Sequence, residues 1–222
     1  MLFRSGHELR NPVAALNAGL NLLDKRGEGP AGPVIRSQMQ RSLNHLTRLV
    51  EDLLNIARIN QGKISLTTKP FVLQDALAYV IESCQSVLDA DGHTLVADIA
   101  PEPIWLDGDE VRVAQAVINL VTNAVKYTPE PGTIRLTARR GDGLVCIEVS
   151  DTGIGIPPEA QDHIFELFAQ VDGTSRAARD GLGVGLALVR QLVELHAGKV
   201  ALVASEPGVG STFRIELPIS PR

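Results

Sequence analysis

The sequence predicts two folds in series: an all-α helical hairpin that pairs with a second copy into a dimeric four-helix bundle, then an α/β sandwich. Three observations carry this. Up to Gly62 the apolar pattern is helical and is interrupted once, by a turn rich in glycine and proline. The apolar stripe of that hairpin is too wide for two helices to cover, so a homodimer is implied. From Lys63 onward, strands of alternating pattern interleave with helices, as in one mixed sheet with helices on one face. The expected domains are residues 1–62, a linker 63–70, and 71–222.

In the first helix Leu2, Leu9, Val13, Leu16, Leu20 and Leu23 form a coiled-coil-like seam. The segment from Arg26 to Pro33 breaks it. A second seam runs through Met39, Leu43, Leu46, Val50, Leu53 and Ala57, widened by Leu49, Leu54 and Ile56. Met1 stands beside a helical pattern already under way, which predicts that the chain begins inside a longer helix. His7 lies about 200° round that helix from Leu9 and so points away from the seam. Pro12 cannot donate to the carbonyl of Glu8 and should loosen the helix within a turn of His7.

Further on, Leu73–Leu88 reads as a helix, Thr94–Ile99 as a strand and Ile104–Leu106 as a short one. Asp109 is a plausible N-cap for the helix that follows. Thr133–Ala138 and Leu144–Ser150 flank a hairpin turn, RRGDG. A helix from Val184 to His196 and strands Lys199–Ala204 and Ser211–Leu217 complete the chain.

The 222 residues carry a net charge of −5, which argues against a nucleic-acid partner. Two cysteines, Cys84 and Cys146, give neither a disulfide framework nor zinc spacing, so a reducing, cytoplasmic setting is expected. No apolar run approaches the roughly 18 residues of a membrane span, so no membrane contact is expected within this segment.

Chemistry concentrates in four stretches. In QAVINLVTNAVKYT, Val117, Leu120, Val121 and Ala124 share one helical face, and Asn119, Asn123 and Lys126 another. Stacked asparagines are poor helix formers and need a reason, although a solvated face would supply one. Asp151 ends a strand and opens DTGIGIP. Its carboxylate could accept from an exocyclic amine while the glycines let the backbone approach a flat ring, or it could simply close an Asx turn. IFELF places Phe165 and Phe168 before a long polar segment with Arg176 and Arg179, and both rings are expected as core anchors at its hinge. Gly181, Gly183 and Gly185 precede a helix whose free N–H groups could cradle phosphate. Their spacing matches neither the dinucleotide fingerprint nor the P-loop.

In this order the stretches resemble the boxes of a sensor histidine kinase core, whose ATP-binding domain shares its fold with gyrase B, the Hsp90 chaperones and MutL, the GHKL group. GHELRNP resembles the H box, NLVTNAVKYT the N box, DTGIGIP the G1 box, IFELF the F box and GLGVGLALV the G2 box. The resemblance implies a phosphoacceptor at His7, a neighbouring carboxylate at Glu8 that orients and deprotonates it, and at Asn11 a residue that positions water for dephosphorylating a response regulator. It implies ATP and Mg²⁺ as cofactors, with Asn123 as the amide ligand of the metal. Asn119, Lys126 and Tyr127 would surround metal and phosphates, and Asp151 would meet the adenine amino group.

By the same resemblance Gly153, Gly155, Ile156, Phe168, Gly181, Leu182, Gly183, Val184, Gly185 and Leu186 line the nucleotide, and Thr212 lies near the adenine. Asp180 departs from the family pattern, standing where a glycine often begins the G2 box. The implied partners are a second copy of the chain and the receiver domain of a response regulator. Histidine and nucleotide would lie in separate domains, so transfer would need movement through the linker. Two alternatives use the same nucleotide fold. One is an ATPase of the gyrase and Hsp90 type, and the other is a kinase-like scaffold without phosphotransfer.

Overall fold

The computed structural model describes residues 13–23, 31–60, 65–169 and 183–220. The chain divides into two compact units, Met1–Gln61 and Gly62–Arg222. In the first, residues 13–23 are helical (α1) and are followed by α2, Gly32–Asn60. The helices meet closely at Gly19, where a Cβ would sit 2.6 Å from Cγ of Met39. α2 starts before the apolar seam does, inside the predicted break, because Pro33 is tolerated in a first helical turn where no N–H is needed. Val13 and Leu20 on α1, and Leu43, Val50 and Leu54 on α2, remain exposed.

The second unit begins with β1, Lys69–Val72, and α3, Leu73–Ala90. Lys69 and Pro70, expected as linker, are thus strand residues. β1 pairs antiparallel with β3, Trp105–Gly108, in a small two-stranded sheet. The main sheet has the order β2-β4-β5-β7-β6, from β2 (Thr94–Ile99), β4 (Thr133–Arg140), β5 (Leu144–Asp151), β6 (Lys199–Glu206) and β7 (Gly210–Pro218). β2 and β4 are parallel and the other pairs antiparallel.

Period-two alternation sets the layers. Ile134, Leu136 and Ala138 on β4, Val145, Ile147 and Val149 on β5, and Phe213, Ile215 and Leu217 on β7 are buried. The residues between them, including Arg135, Glu148, Arg214 and Glu216, are polar, and Arg214 bridges to Glu148 at 2.6 Å. Three helices supply the opposing layer: α3, α4 (Glu110–Tyr127) and α6 (Gly185–Leu195). On α3 the buried residues Leu73, Ala76, Leu77, Val80, Cys84 and Leu88 recur every three or four positions, and burial pushes the Cys84 thiol up to about 11. The short helix α5, Pro158–Gln161, follows the G1 stretch and was not anticipated from sequence. Among the described residues, no helix is long and apolar enough to cross a membrane.

Candidate nucleotide site

α4 starts where the sequence places it. Asp109 is its N-cap, and Oδ1 accepts from the Arg112 N–H at 3.2 Å. Its buried face is Val113, Ala114, Ala116, Val117, Leu120, Val121, Ala124 and Val125. Asn119, Asn123 and Lys126 are spaced to follow one another along the other face. Nδ2 of Asn119 is buried and has no hydrogen-bond partner among the described residues. A buried donor without a partner costs on the order of 1–3 kcal/mol, so this one is suited to a ligand acceptor. Nζ of Lys126 lies 3.1 Å from the Tyr127 hydroxyl and 4.7 Å from the ring centroid.

The carboxylate of Asp151 stands at the end of β5. Among the described residues, its hydrogen bonds fall on Oδ1, from the Gly153 N–H at 2.8 Å and the Ser211 N–H at 3.2 Å. Burial raises its pKa above the usual aspartate value, and the two N–H donors partly oppose this. The local Asx-type bond and the amine-accepting role, which compete when the sequence is read alone, are therefore compatible, because one oxygen suffices for the turn.

The glycines of this loop are required by close backbone approach. A Cβ on Gly153 would sit 2.5 Å from the Tyr127 carbonyl oxygen, while Gly155 has φ +69° and its Cβ would strike the Glu206 carbonyl. The Ile154 N–H donates to the Tyr127 carbonyl at 3.0 Å, so the loop is tied to the end of α4.

The G2 stretch comes to the same place. Gly185 opens α6, and a Cβ there would lie 3.8 Å from Nδ2 and 3.9 Å from Oδ1 of Asn123. The Asn123 amide thus lies beside a helix N-terminus, where free N–H groups and the helix dipole favour anions. Val184 is buried and Leu186 half-buried. Gly183 has φ +68° and accepts from the Phe168 N–H at 2.9 Å.

Phe168 itself has φ 68° and is 38% exposed, which corrects its expected place as a core anchor. Phe165 fits that expectation, meeting Phe213 edge-to-face at 6.1 Å. Positions 170–182 lie outside the described residues, and with them Arg176, Arg179, Asp180, Gly181 and Leu182. So do His7, Glu8 and Asn11.

The Thr212 hydroxyl donates to the Ser150 hydroxyl at 3.0 Å, on the sheet face away from the buried side chains of Val149 and Phe213. Ser211, its neighbour, is buried and contacts Asp151. Phe213 is a core residue of that strand, so period two puts Ser211 on its face and Thr212 on the other.

The residues present fit an adenine nucleotide: an orphan amide donor, a carboxylate held by one oxygen, a cradle where glycine Cβ atoms would intrude, and a helix N-terminus. A cation here would draw on Asn123 and on nucleotide phosphates, since no group of three His, Cys, Asp or Glu among the described residues could hold one.

This arrangement defines a nucleotide-binding unit of the kind the family comparisons describe. The family described as "Histidine kinase-, DNA gyrase B-, and HSP90-like ATPase" matches residues 108–221, and the "His Kinase A (phospho-acceptor) domain" matches residues 6–62. The chain belongs to the histidine kinase family, as a phosphoacceptor domain followed by a GHKL ATPase domain. It is 38% identical over 213 residues to the sensor protein DivL of Caulobacter vibrioides, covering 96% of this chain and 27% of DivL.

Full-length ShkA, solved in complex with AMPPNP, aligns with a TM-score of 0.72 at 30% identity, covering 96% of this chain and 44% of ShkA. The histidine kinase ThkA, solved in complex with the response regulator protein TrrA, shares the fold at a TM-score of 0.72 and 24% identity, covering 100% of this chain and 61% of ThkA. The chain spans 27% to 37% of the length of the first curated relatives it matches.

Proposed function

We propose that this chain is the catalytic core of an ATP-dependent protein-histidine kinase of a two-component system, which phosphorylates its own His7 and passes the phosphoryl group to a response-regulator aspartate. The observation that carries the reading is that α4, which bears the partnerless Asn119 amide and sets Asn123 beside Gly185, ends at Tyr127, whose carbonyl holds the loop that follows Asp151. Asp151 orients the adenine through its exocyclic amine. Asn119 donates to the nucleotide, Asn123 holds Mg²⁺, and Lys126 places positive charge beside the phosphates. The α6 N–H groups, with Gly181 and Leu182 before them, receive the phosphate oxygens. ATP supplies the phosphoryl group, and transfer depends on charge stabilisation and alignment more than on covalent help from the protein.

At the acceptor, Glu8 fixes the tautomer of His7 and takes its proton as the ring nitrogen attacks the γ-phosphorus, whose bond to the β–γ bridging oxygen breaks so that ADP leaves. The two centres belong to different compact units, so transfer requires them to approach through residues 63–70. The apolar residues left exposed on α1 and α2 support a homodimer through the hairpin. Asn11, four positions after His7 in the sequence, takes a role in dephosphorylating the regulator.

Incubation with γ-labelled ATP and Mg²⁺, followed by acid and base treatment, tests the reading. A label that is acid-labile, base-stable and absent from His7→Gln is the expected result. ATP hydrolysis without protein labelling would instead favour an ATPase, and nucleotide binding without turnover a scaffold.

A further inference from the structure

The turn between β6 and β7 presses on the Asp151 loop from behind. The Glu206 carbonyl occupies the space that a Cβ on Gly155 would need, and the Gly208 N–H donates to the Ile154 carbonyl at 2.8 Å. At the centre of this contact is Ser205. Its Oγ accepts from the Ile156 N–H at 2.8 Å and lies 3.0 Å from the Ser211 hydroxyl and 3.3 Å from the Gly210 carbonyl. The Ser211 N–H in turn holds Oδ1 of Asp151. One hydroxyl therefore joins the far end of the loop, Ile156, to the backbone that fixes the carboxylate at its near end.

A break in strand register makes this possible. Leu202 pairs with Phe213 but Ala204 pairs with Thr212, so Val203 is an extra residue. The bulge sets Ser205 opposite Ser211, with both hydroxyls on one face. Gln161 strengthens the same junction, its Nε2 donating to the Ile156 carbonyl at 2.8 Å.

We infer that Ser205 is a positioning residue for nucleotide binding, which holds the Asp151–Ile156 loop in its binding geometry through the β6–β7 turn. It touches the loop's backbone and acts through Asp151, the residue that reads the base, so the inference rests on the nucleotide-site reading above. Removing its hydroxyl leaves the Ile156 N–H without an acceptor. The loop then relaxes towards water in the free protein and must be reordered each time nucleotide binds. The loss falls on binding, because the acceptor histidine lies in the other compact unit.

The test compares wild type, Ser205→Ala and Ser205→Thr in ATP titrations by calorimetry and in autophosphorylation kinetics, with thermal unfolding beside them. Ser205→Ala should raise Kd and KM for ATP roughly tenfold, as expected for one lost network hydrogen bond, with kcat within about twofold of wild type. Ser205→Thr keeps the hydroxyl on a strand and should restore KM to within about twofold. Unchanged ATP affinity in Ser205→Ala would overturn the inference. Equal damage in the alanine and threonine variants, with parallel loss of unfolding temperature, would reduce Ser205 to a packing residue and overturn it as well. Absence of ATP binding by the wild type would remove the nucleotide reading itself, and this inference with it.

Discussion

The backbone N–H of Asp109 donates to Nε2 of His196 at 3.0 Å, joining the N-cap of the Asn119 helix to the C-cap of the helix that begins at Gly185. Nδ1 of His196 lies 2.7 Å from the Leu192 carbonyl, so the ring carries its proton on Nδ1 and accepts at Nε2. It packs on Gly108, where a Cβ would sit 2.5 Å from Cδ2. The Asp109 side chain caps α4 through Oδ1, and Oδ2 accepts from the Thr67 N–H at 3.0 Å. His196→Phe retains an aromatic ring but leaves the Asp109 N–H without an acceptor. It should lower stability by about 1–3 kcal/mol, read from the urea midpoint. Asp109→Ala should cost about 1 kcal/mol or somewhat more through the lost cap.

Asp151 is expected to show opposed effects on stability and binding. Burial raises its folded pKa, so the fold binds that proton more tightly than the unfolded chain does. The resulting stabilisation is complete below the unfolded aspartate pKa and is lost as pH rises through the folded value. At neutral pH the buried charge is a liability in the nucleotide-free protein. Asp151→Asn keeps an oxygen for Gly153 and Ser211 and should unfold at the same or higher temperature than wild type at pH 7, with the gap closing in acid. It should also lose ATP affinity, because an amide NH₂ would face the adenine amine. Unfolding scans across pH, paired with ATP titration, measure both effects.

The glycine at position 155 offers a sharper test of the loop. Alanine there must adopt φ near +69° and push its methyl against the Glu206 carbonyl. Gly155→Ala should cost on the order of 1–3 kcal/mol and abolish measurable ATP binding, with the sheet retained by circular dichroism.

His163 is exposed and pairs with Glu166 through Nδ1 at 2.8 Å. The hydrogen bond and charge of Glu166 raise its pKa above the usual histidine value. The pair contributes when His163 is protonated, below its unfolded pKa, and that contribution is lost as pH rises through the raised one. Because solvent screens the pair, the effect should be visible in the titration of the His163 ring by NMR rather than in the unfolding midpoint. In Glu166→Gln that titration should move back to lower pH.

Most of the scaffold was legible because local signals agreed. Asp109 marked the start of α4, the three-and-four spacing of Leu73 to Leu88 marked α3, and alternation marked β4, β5 and β7. What was missed depended on tertiary partners. β1 is a strand because β3 pairs with it, and Lys69 and Pro70 carry no alternation of their own. The bulge at Val203 leaves no mark in composition, yet it decides that Ser205 meets Ser211. Phe168 reads as core by residue type, whereas its positive φ and its bond to Gly183 give it a turn position with an exposed ring.

The contrast between Ser211 and Thr212 yields the last prediction. The resemblance implies that Thr212 lies near the adenine, and its hydroxyl donates to Ser150 across the polar face of the sheet. Thr212→Val preserves shape and β-branching, which a strand favours, and removes only that hydroxyl. The Ser150 hydroxyl can turn to water on the half-buried outer face, so the stability cost should stay near or below about 1 kcal/mol. ATP affinity should not change, because the Thr212 hydroxyl bonds to Ser150 on the sheet face opposite the one that buries Ser211. Ser211→Ala removes the hydroxyl that meets Ser205 while leaving the N–H that holds Asp151, so it should weaken ATP binding severalfold. Calorimetric titration of the two variants side by side measures the difference. Weakened binding by Thr212→Val together with wild-type affinity in Ser211→Ala would place the adenine on the opposite side of β7 from the one the Asp151 contacts define.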